Sequence, residues 1–485
     1  MNMLALGMFI TLCLLLCRQY VKTGVLLTPG SSLLFASILL PVYLAYPFAT
    51  TPESLIAIGQ NTHFRTIQWG VDEVLVVVTV GTICSVVSYL LAPRLMAGWV
   101  VRFAKRAAPA RLSRANLTMG ACLTSLLSVS FMWGYFYYTG FVPLFSDPGA
   151  RFRAARLPGG QFYEAAFTIA NVGMIYLLGA LALRKVRSYR FLTFLMIVVV
   201  GFSNLVTASR GNFLSPFLQA GLIYFSAKEK SEKLTPIRAL VLATGVLLLA
   251  GFLQLLRYHA DFSWDAVQDE ILHGNTFFAN LRDTGWVVSS FHMGNHDWFY
   301  GKTIVAGFLG FMPRDFHFRQ EYRWGTVALK IVGAQDPEGY FGLAHVLFGD
   351  WYLNFGYAGV IVEGVILGLL MRLLDARLLE IRSRARNLNA YDYLAAFKVW
   401  FASLLTSFFF SSALTPFAYS YLAGYVAIFA LAAMMQKIFL PNRALKAGWL
   451  PEGTRWQRKV DQGVESKPPS NFGGRPPRRS HAPSS

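Results

Sequence analysis

The feature that most constrains this chain is the alternation of long apolar runs with clusters of basic residues. A helix that crosses a bilayer needs about 20 mainly apolar residues, and the runs between charge clusters give about eleven such segments. Of the 485 residues, 55% are hydrophobic and 14% charged, whereas a soluble domain carries roughly 25% charged residues. The sequence therefore predicts an all-α polytopic membrane protein. The predicted helices begin near Met3, Ser32, Glu73, Thr118, Phe162, Phe191, Asn212, Ala239, Trp351, Tyr393 and Phe417.

The basic residues predict how the chain crosses the membrane. The formal charge is +19, but Lys and Arg lie in clusters between apolar runs, which is typical of a topogenic signal and not of a nucleic-acid-binding surface. Short loops rich in Lys and Arg stay on the cytoplasmic side. We therefore expect the N-terminus outside, the C-terminus inside and no nucleic-acid partner. The clusters lie at 94–114, 184–190, 228–238, 372–386 and from 437 onward.

The same reasoning divides the chain into a membrane domain and a tail. Residues 1–440 hold all the predicted helices, and residues 451–485 contain KPPS and GGRPPRRS with little apolar content. Such a segment cannot bury enough surface to fold, so we expect a disordered, basic, cytoplasmic tail that can rest on anionic membrane lipids.

Three segments lie outside the membrane on this topology: about 50–70, about 141–161, and a long loop at 257–344 before the ninth helix. Arginine on the translocated side runs against the positive-inside bias, although arginines that pair with loop carboxylates or lipid phosphates are a simpler explanation. Guanidinium groups match phosphate oxygens bidentately. The loops therefore predict binding of a lipid-linked phosphate or pyrophosphate. The outer arginines singled out are Arg151, Arg153, Arg156, Arg257, Arg314, Arg319 and Arg323.

Two further motifs hold charge at or within the membrane. TASRGNFLSP puts Arg210 in a tight turn at the membrane surface, where it needs a ligand, a carboxylate or the interface itself. GDWYLNFGYAGVIVEGV puts Asp350 at the start of the ninth helix and Glu363 near its middle. A buried ionisable group in hydrocarbon is a functional or ion-pair hypothesis, and Lys398 is the expected partner of Glu363.

No metal site is expected from the histidines or cysteines. His292 and His296 are four residues apart, but no carboxylate stands at the position that an HExxH zinc motif requires. The four cysteines, Cys13, Cys17, Cys84 and Cys122, lie inside apolar runs and are typical of small hydrophobic residues.

Taken in order, these motifs resemble the oligosaccharide repeat-unit polymerases, the Wzy-type or O-antigen polymerase family of bacterial inner membranes. The resemblance covers the middle and late chain. It depends on four motifs: PLFSDPGARFRAARLPGG, the SRG turn at 209–211, MPRDFHF in the long loop, and GDWYLNFGYAGV.

The resemblance implies a fold related to the GT-C membrane glycosyltransferases and a long periplasmic loop before the ninth helix. It implies transfer of a glycan from undecaprenyl pyrophosphate to a new repeat unit, without cofactor or metal, in O-antigen, capsule or exopolysaccharide synthesis. A chain-length regulator is a possible partner in such a system. Arg210, Arg257 and Arg314 would hold the pyrophosphate, and Asp261 or His296 would be the general base. Arg151, Arg153, Arg156, Arg319, Arg323 and Asp350 would bind substrate.

Two other functions stay open at this point. An O-antigen ligase would use the same donor with another acceptor. A transporter or flippase of lipid-linked oligosaccharides would be no enzyme, but such proteins usually hold charges within their spans and show repeated halves.

Overall fold

The structure is a computed structural model, and it describes the chain with gaps. The chain divides into two compact units, Met1–Ala433 and Met434–Ser485. In the second unit the described residues, 434–439, are helical, and the predicted disordered tail lies outside the described residues. The described residues are 2–23, 25, 28–50, 64–106, 112, 114–140, 142–145, 157, 159–182, 190–207, 210–227, 241, 244–245, 248–249, 252–253, 279–312, 316–333, 345–384, 390–409 and 415–439.

Every regular element in these ranges is helical, as the apolar runs predict. Up to residue 227 the elements are α1 (Asn2–Thr23), α2 (Pro29–Leu34) with a π-helical continuation (Phe35–Leu44), α3 (Tyr46–Ala49), α4 (Phe64–Arg106), α5 (Arg114–Thr139), a 3-10 turn (Pro143–Phe145), α6 (Gly160–Ala182), α7 (Arg190–Val206) and α8 (Arg210–Ala227). From residue 279 they are α9 (Ala279–Met293), α10 (Lys302–Phe308), a 3-10 turn (Leu309–Phe311), α11 (His317–Tyr322), α12 (Trp324–Ile331), α13 (Gly349–Arg384), α14 (Ala390–Phe409) and α15 (Thr415–Phe439).

Six helices in the described part of the chain are long and apolar enough to cross a membrane: α1, α4, α5, α6, α13 and α15. Shorter apolar helices lie at Pro29–Leu44, Arg190–Val206, Phe213–Ala227 and Tyr393–Ser407. These helices match the predicted segments except the eighth, near Ala239, which lies largely outside the described residues. For the described residues, an all-α fold with helices long and apolar enough to cross a membrane is confirmed, and the number of about eleven spans stays a prediction.

Helices α4 and α13 approach closely because small residues face each other. A Cβ atom on Gly364 would lie 2.6 Å from the carbonyl oxygen of Gly81, and one on Gly368 would lie 2.1 Å from that of Ser85. These distances leave no room for a side chain, as is common where membrane helices pack backbone against backbone. The facing residue numbers rise together, so the two helices run parallel.

The first turns of α13 run against the rest of that helix. The ring of Phe348 packs on Gly81, where an added Cβ would lie 2.6 Å from it. Tyr352, four residues later, donates a hydrogen bond to Glu73, about two turns nearer the start of α4. Residues 349–355 therefore run toward the start of α4, antiparallel to that helix. The chain then turns back and runs parallel to α4. We call residues 345–355 the re-entrant segment.

The reversal occurs at Gly356, which has φ 62° and ψ −153°, a conformation that glycine adopts far more readily than other residues. The break frees backbone carbonyl groups, and the loop after α9 satisfies two of them. The N–H of Phe299 donates to the carbonyl of Leu353 over 3.2 Å, and that of Tyr300 to Asn354 over 3.1 Å. The sequence predicts an uninterrupted ninth span, so the break is a finding of the structure.

Asp375 fastens α13 to the start of α2. The carboxylate is 1% exposed. It accepts hydrogen bonds from the Thr28 hydroxyl over 2.7 Å, the Tyr89 hydroxyl over 2.7 Å and the Gly30 N–H over 2.8 Å. A carboxylate at a helix N-terminus satisfies free N–H groups and the helix dipole. Asp375 is therefore a fully hydrogen-bonded structural residue.

An apolar core joins helices α5, α6, α7, α8, α14 and α15. Tyr393 of α14 fills the space left by Gly179 of α6, and its hydroxyl donates to the carbonyl of Ile175 over 3.0 Å. This buried hydroxyl is thus satisfied by a backbone group of a neighbouring helix.

Candidate functional site

Most residues predicted to act on substrate lie outside the described residues, and their roles stay predictions. Arg210 begins α8, but its side chain is not among those described. Those outside the described residues are Arg151, Arg153, Arg156, Arg257, Asp261 and Arg314.

The structure describes the side chains of four predicted residues, and their surroundings differ. His296 is exposed and stacks on the ring of Phe291, with 6.0 Å between the ring centroids. Arg319 and Arg323 belong to a separate basic surface on α11 and α12. Asp350 is 2% exposed, inside the re-entrant segment. An acid this deeply enclosed contacts its own helix bundle and not the surrounding solution.

A group of hydrogen-bonded side chains occupies the start of α4: Glu73, His292, Tyr352 and Tyr357, which we call the Glu73 cluster. The hydroxyls of Tyr352 and Tyr357 donate to Oε1 of Glu73 over 2.8 and 2.7 Å. The Nε2 atom of His292 lies 3.1 Å from the Tyr352 hydroxyl oxygen. Because that hydroxyl donates its hydrogen bond to Glu73, its oxygen accepts one from the N–H of His292, which assigns the ring hydrogen to Nε2.

Aromatic rings surround this cluster on its open side. Trp69 is 45% and Tyr357 38% exposed. The ring of Trp69 meets that of His292 edge-on, with 5.5 Å between the centroids, and Trp298 lies 5.8 Å from Tyr352. Half-buried Glu73 therefore lies beside exposed aromatic rings that have apolar faces and a polar N–H or O–H group.

Asp72, next to Glu73, has a different environment. Its Oδ1 accepts a hydrogen bond from the Tyr46 hydroxyl of α3 over 2.6 Å. Burial and the Asp72 carboxylate together raise the pKa of Tyr46 above its usual range, so this tyrosine stays protonated and keeps donating. Asp72 thus fastens α3 to α4.

Asp350 and Glu363, the buried acid pair, are 2% and 0% exposed. Oδ1 of Asp350 accepts hydrogen bonds from Thr303 over 2.5 Å and from Asn354 over 3.3 Å. Oδ2 of Asp350 and both carboxyl oxygens of Glu363 have no hydrogen-bond partner among the described residues. The two groups interact electrostatically. Two carboxyl groups of one sign buried in this way are costly unless a proton or a cation offsets their charge.

Lys398, the expected partner of Glu363, lies elsewhere. Its Nζ atom is 5.2 Å from the centre of the Phe429 ring, so the ion-pair prediction is wrong. Helix α14 directs this lysine toward α15, where an aromatic face satisfies the ammonium group.

A cavity of about 340 Å³ lies among α2 and its continuation, α8, α14 and the re-entrant segment. Its walls are mainly apolar, and the polar residues that line it are Ser32, Ser37, Gln219, Asn280, His345, Ser403 and Ser407. Burial lowers the pKa of His345, and the Asp350 carboxylate opposes this effect. The volume is at the low end of the roughly 300–1,000 Å³ of ligand pockets. The cavity suits an apolar group beside a neutral histidine.

Basic side chains gather on α10, α11 and α12. Lys302, Arg323 and Lys330 are exposed, and half-buried Arg319 donates to the carbonyl of Met312. The Lys302 ammonium group lies 5.0 Å from the centre of the Tyr322 ring. These helices form a basic surface that attracts anionic groups.

Sequence reasoning missed Glu73 as a site residue, although a signal was present. An acidic residue in the first turn of a predicted span, one helical turn after an exposed Trp, is unusual at the edge of hydrocarbon. Its two tyrosine partners are 279 and 284 residues away, so no local pattern could have joined them.

Comparison of the chain with protein-family models, with curated proteins and with solved structures finds no match in any of the three.

Proposed function

We propose that this chain polymerises oligosaccharide repeat units linked to undecaprenyl pyrophosphate, at the outer face of a bacterial inner membrane. The proposal depends on one observation. The basic helices follow directly from residues 299–301, whose N–H groups bind the segment that carries Tyr352 of the Glu73 cluster. An anion-binding surface and a carboxylate–tyrosine–histidine cluster are thus joined through one short loop.

The basic surface supports the donor half of the reaction. In such a transfer, the bond between the anomeric carbon and the pyrophosphate oxygen breaks, and the leaving group takes the negative charge. Preorganised guanidinium groups stabilise that charge as it develops. We therefore assign pyrophosphate binding to Arg319 and Arg323 of the basic surface. Further candidates from the outer loops are Arg151, Arg153, Arg156, Arg210, Arg257 and Arg314.

The cavity supports a lipid-linked substrate. Its walls are mainly apolar and it lies within the helix bundle. At about 340 Å³ it is too small for a whole polyprenyl tail, so most of the tail would stay in the bilayer. The first isoprene units are the part that fits.

The test is reconstitution of the full chain in liposomes with lipid-linked repeat units, followed by gel analysis of the glycan. We expect a ladder of polymer from the wild type. We expect the double variant Arg319→Ala/Arg323→Ala to raise the donor KM about tenfold or more, since each loses a charge-assisted hydrogen bond. Arg377→Ala is the matched control, because Arg377 pairs with Glu380 in α13, outside the proposed site. Unchanged donor KM in the double variant, or an equal loss in the control, contradicts the proposal.

A second function is favoured by the broken helix. Transporters commonly place coupling-ion sites at discontinuous helices inside the membrane, and Gly356 interrupts α13 between Asp350 and Glu363. A transporter or flippase of lipid-linked oligosaccharides would use the buried acid pair to bind a proton or cation. In the same liposomes, movement of labelled repeat units across the bilayer without a polymer ladder identifies this function.

A further inference from the structure

Glu73 has one carboxyl oxygen engaged and one available. The hydrogen bonds from Tyr352 and Tyr357 both end on Oε1. Oε2 accepts no hydrogen bond from the described residues. It is not one of their solvent-inaccessible polar atoms, so it remains accessible to the surroundings. A carboxylate that is fixed through one oxygen and open at the other is arranged to accept a proton from a ligand.

The two tyrosine donors, both on one carboxyl oxygen, hold the Glu73 carboxylate in a fixed orientation. His292 restrains the Tyr352 hydroxyl from the other side. The hydrogen bonds from His292 to Tyr352 and from Tyr352 to Glu73 therefore orient the carboxylate. In a catalytic triad, the third residue orients the base in the same way.

Exposed aromatic faces next to such a carboxylate suit a sugar ring. Trp69 lies one turn before Glu73 on α4 and is 45% exposed, and Tyr357 is 38% exposed. The C–H face of a pyranose packs on an aromatic ring while its hydroxyls donate to a carboxylate. Trp and Tyr at helix ends also occur as an interfacial belt, but a belt requires no carboxylate that accepts a hydrogen bond from each of two tyrosines.

We propose that the Glu73 cluster is the acceptor site of this protein, where Trp69 and Tyr357 bind the terminal sugar and Glu73 is the catalytic base. This inference rests on the proposed function. Oε2 of Glu73 takes the proton of the attacking hydroxyl, whose oxygen bonds to the anomeric carbon of the donor. The bond from that carbon to the pyrophosphate oxygen breaks, and the lipid pyrophosphate keeps the electron pair. Glu73 then returns its proton to water.

The first experiment measures turnover in the liposomes. Glu73→Gln removes the base but keeps the acceptor atom for the tyrosines, so kcat should fall by roughly 100- to 10,000-fold with acceptor KM changed little. Trp69→Ala should raise acceptor KM about tenfold and keep kcat. Asp72→Asn is the matched control, an adjacent carboxylate with one tyrosine partner, and should behave like the wild type.

The second experiment measures binding without turnover. The probe is the lipid-free oligosaccharide released by mild acid from the cell's own lipid-linked intermediates, titrated against tryptophan fluorescence of the full chain. Binding that is weakened by Trp69→Ala, with no polymer from the wild type, supports the sugar site and overturns the polymerase. Polymer formation that Glu73→Gln and Trp69→Ala leave unchanged overturns the acceptor site and retains the polymerase. Equal losses in Glu73→Gln and Asp72→Asn also overturn the assignment of the base.

Discussion

At the scale of single residues, the buried acids of α13 separate into two kinds. Asp375 has every oxygen hydrogen-bonded, whereas Glu363 has none of its oxygens paired among the described residues. A satisfied buried carboxylate fixes a fold, while an unsatisfied one lowers stability and is retained for another reason. The Asp350–Glu363 pair is therefore the place in this bundle where function can conflict with stability.

His345 gives a pH-dependent prediction at the same scale. Its folded pKa lies below that of an exposed histidine, since burial disfavours the charged ring. In the unfolded chain, where a histidine pKa is about 6.5, this residue binds more protons than in the folded chain. Its contribution to stability is therefore fully present above that pH and is lost as the pH falls toward the folded pKa. The melting temperature of the wild type should decline as the pH falls from about 7.5 to 5.5. The melting temperature of the His345→Gln variant should decline less.

The matched control is His317→Gln, because the His317 side chain is 90% exposed. Its melting curves should follow those of the wild type at every pH. A decline in His345→Gln as steep as in the wild type would assign the effect to other groups, with the buried acid pair the first to examine.

At the scale of helices, glycine decides how α4 meets α13. Gly368→Ala would place a Cβ 2.1 Å from the carbonyl oxygen of Ser85. The helices must separate, at a cost of about 1–3 kcal/mol, which should lower the melting temperature of the detergent-solubilised protein. Gly134→Ala in α5 has no atom within 4 Å of the new Cβ and should be neutral or slightly stabilising. Similar melting temperatures for the two variants would mean that α4 and α13 do not pack in this way.

At the scale of the whole chain, the membrane topology can be tested directly. Arg106 ends α4, whereas Gly294 follows α9 and lies near the cluster at the start of α4. Since α4 is long and apolar enough to span a bilayer, reporter fusions after Arg106 and after Gly294 should report opposite compartments. A fusion after Gly140, at the end of α5, should agree with the one after Gly294. A common compartment for Arg106 and Gly294 overturns the topology and the outer site with it.

The sequence by itself determined that the chain forms long apolar helices, because such helices are local patterns of about 20 residues. It also singled out Asp350 at the start and Glu363 near the middle of the predicted ninth span. Only the tertiary structure decided which residues contact these acids, that α13 breaks at Gly356, and that Tyr352 donates a hydrogen bond to Glu73. Glu73 and Tyr352 are 279 residues apart and Thr28 and Asp375 are 347 apart. Contacts over such separations come from helix packing, which depends on the whole set of facing side chains and not on any one segment.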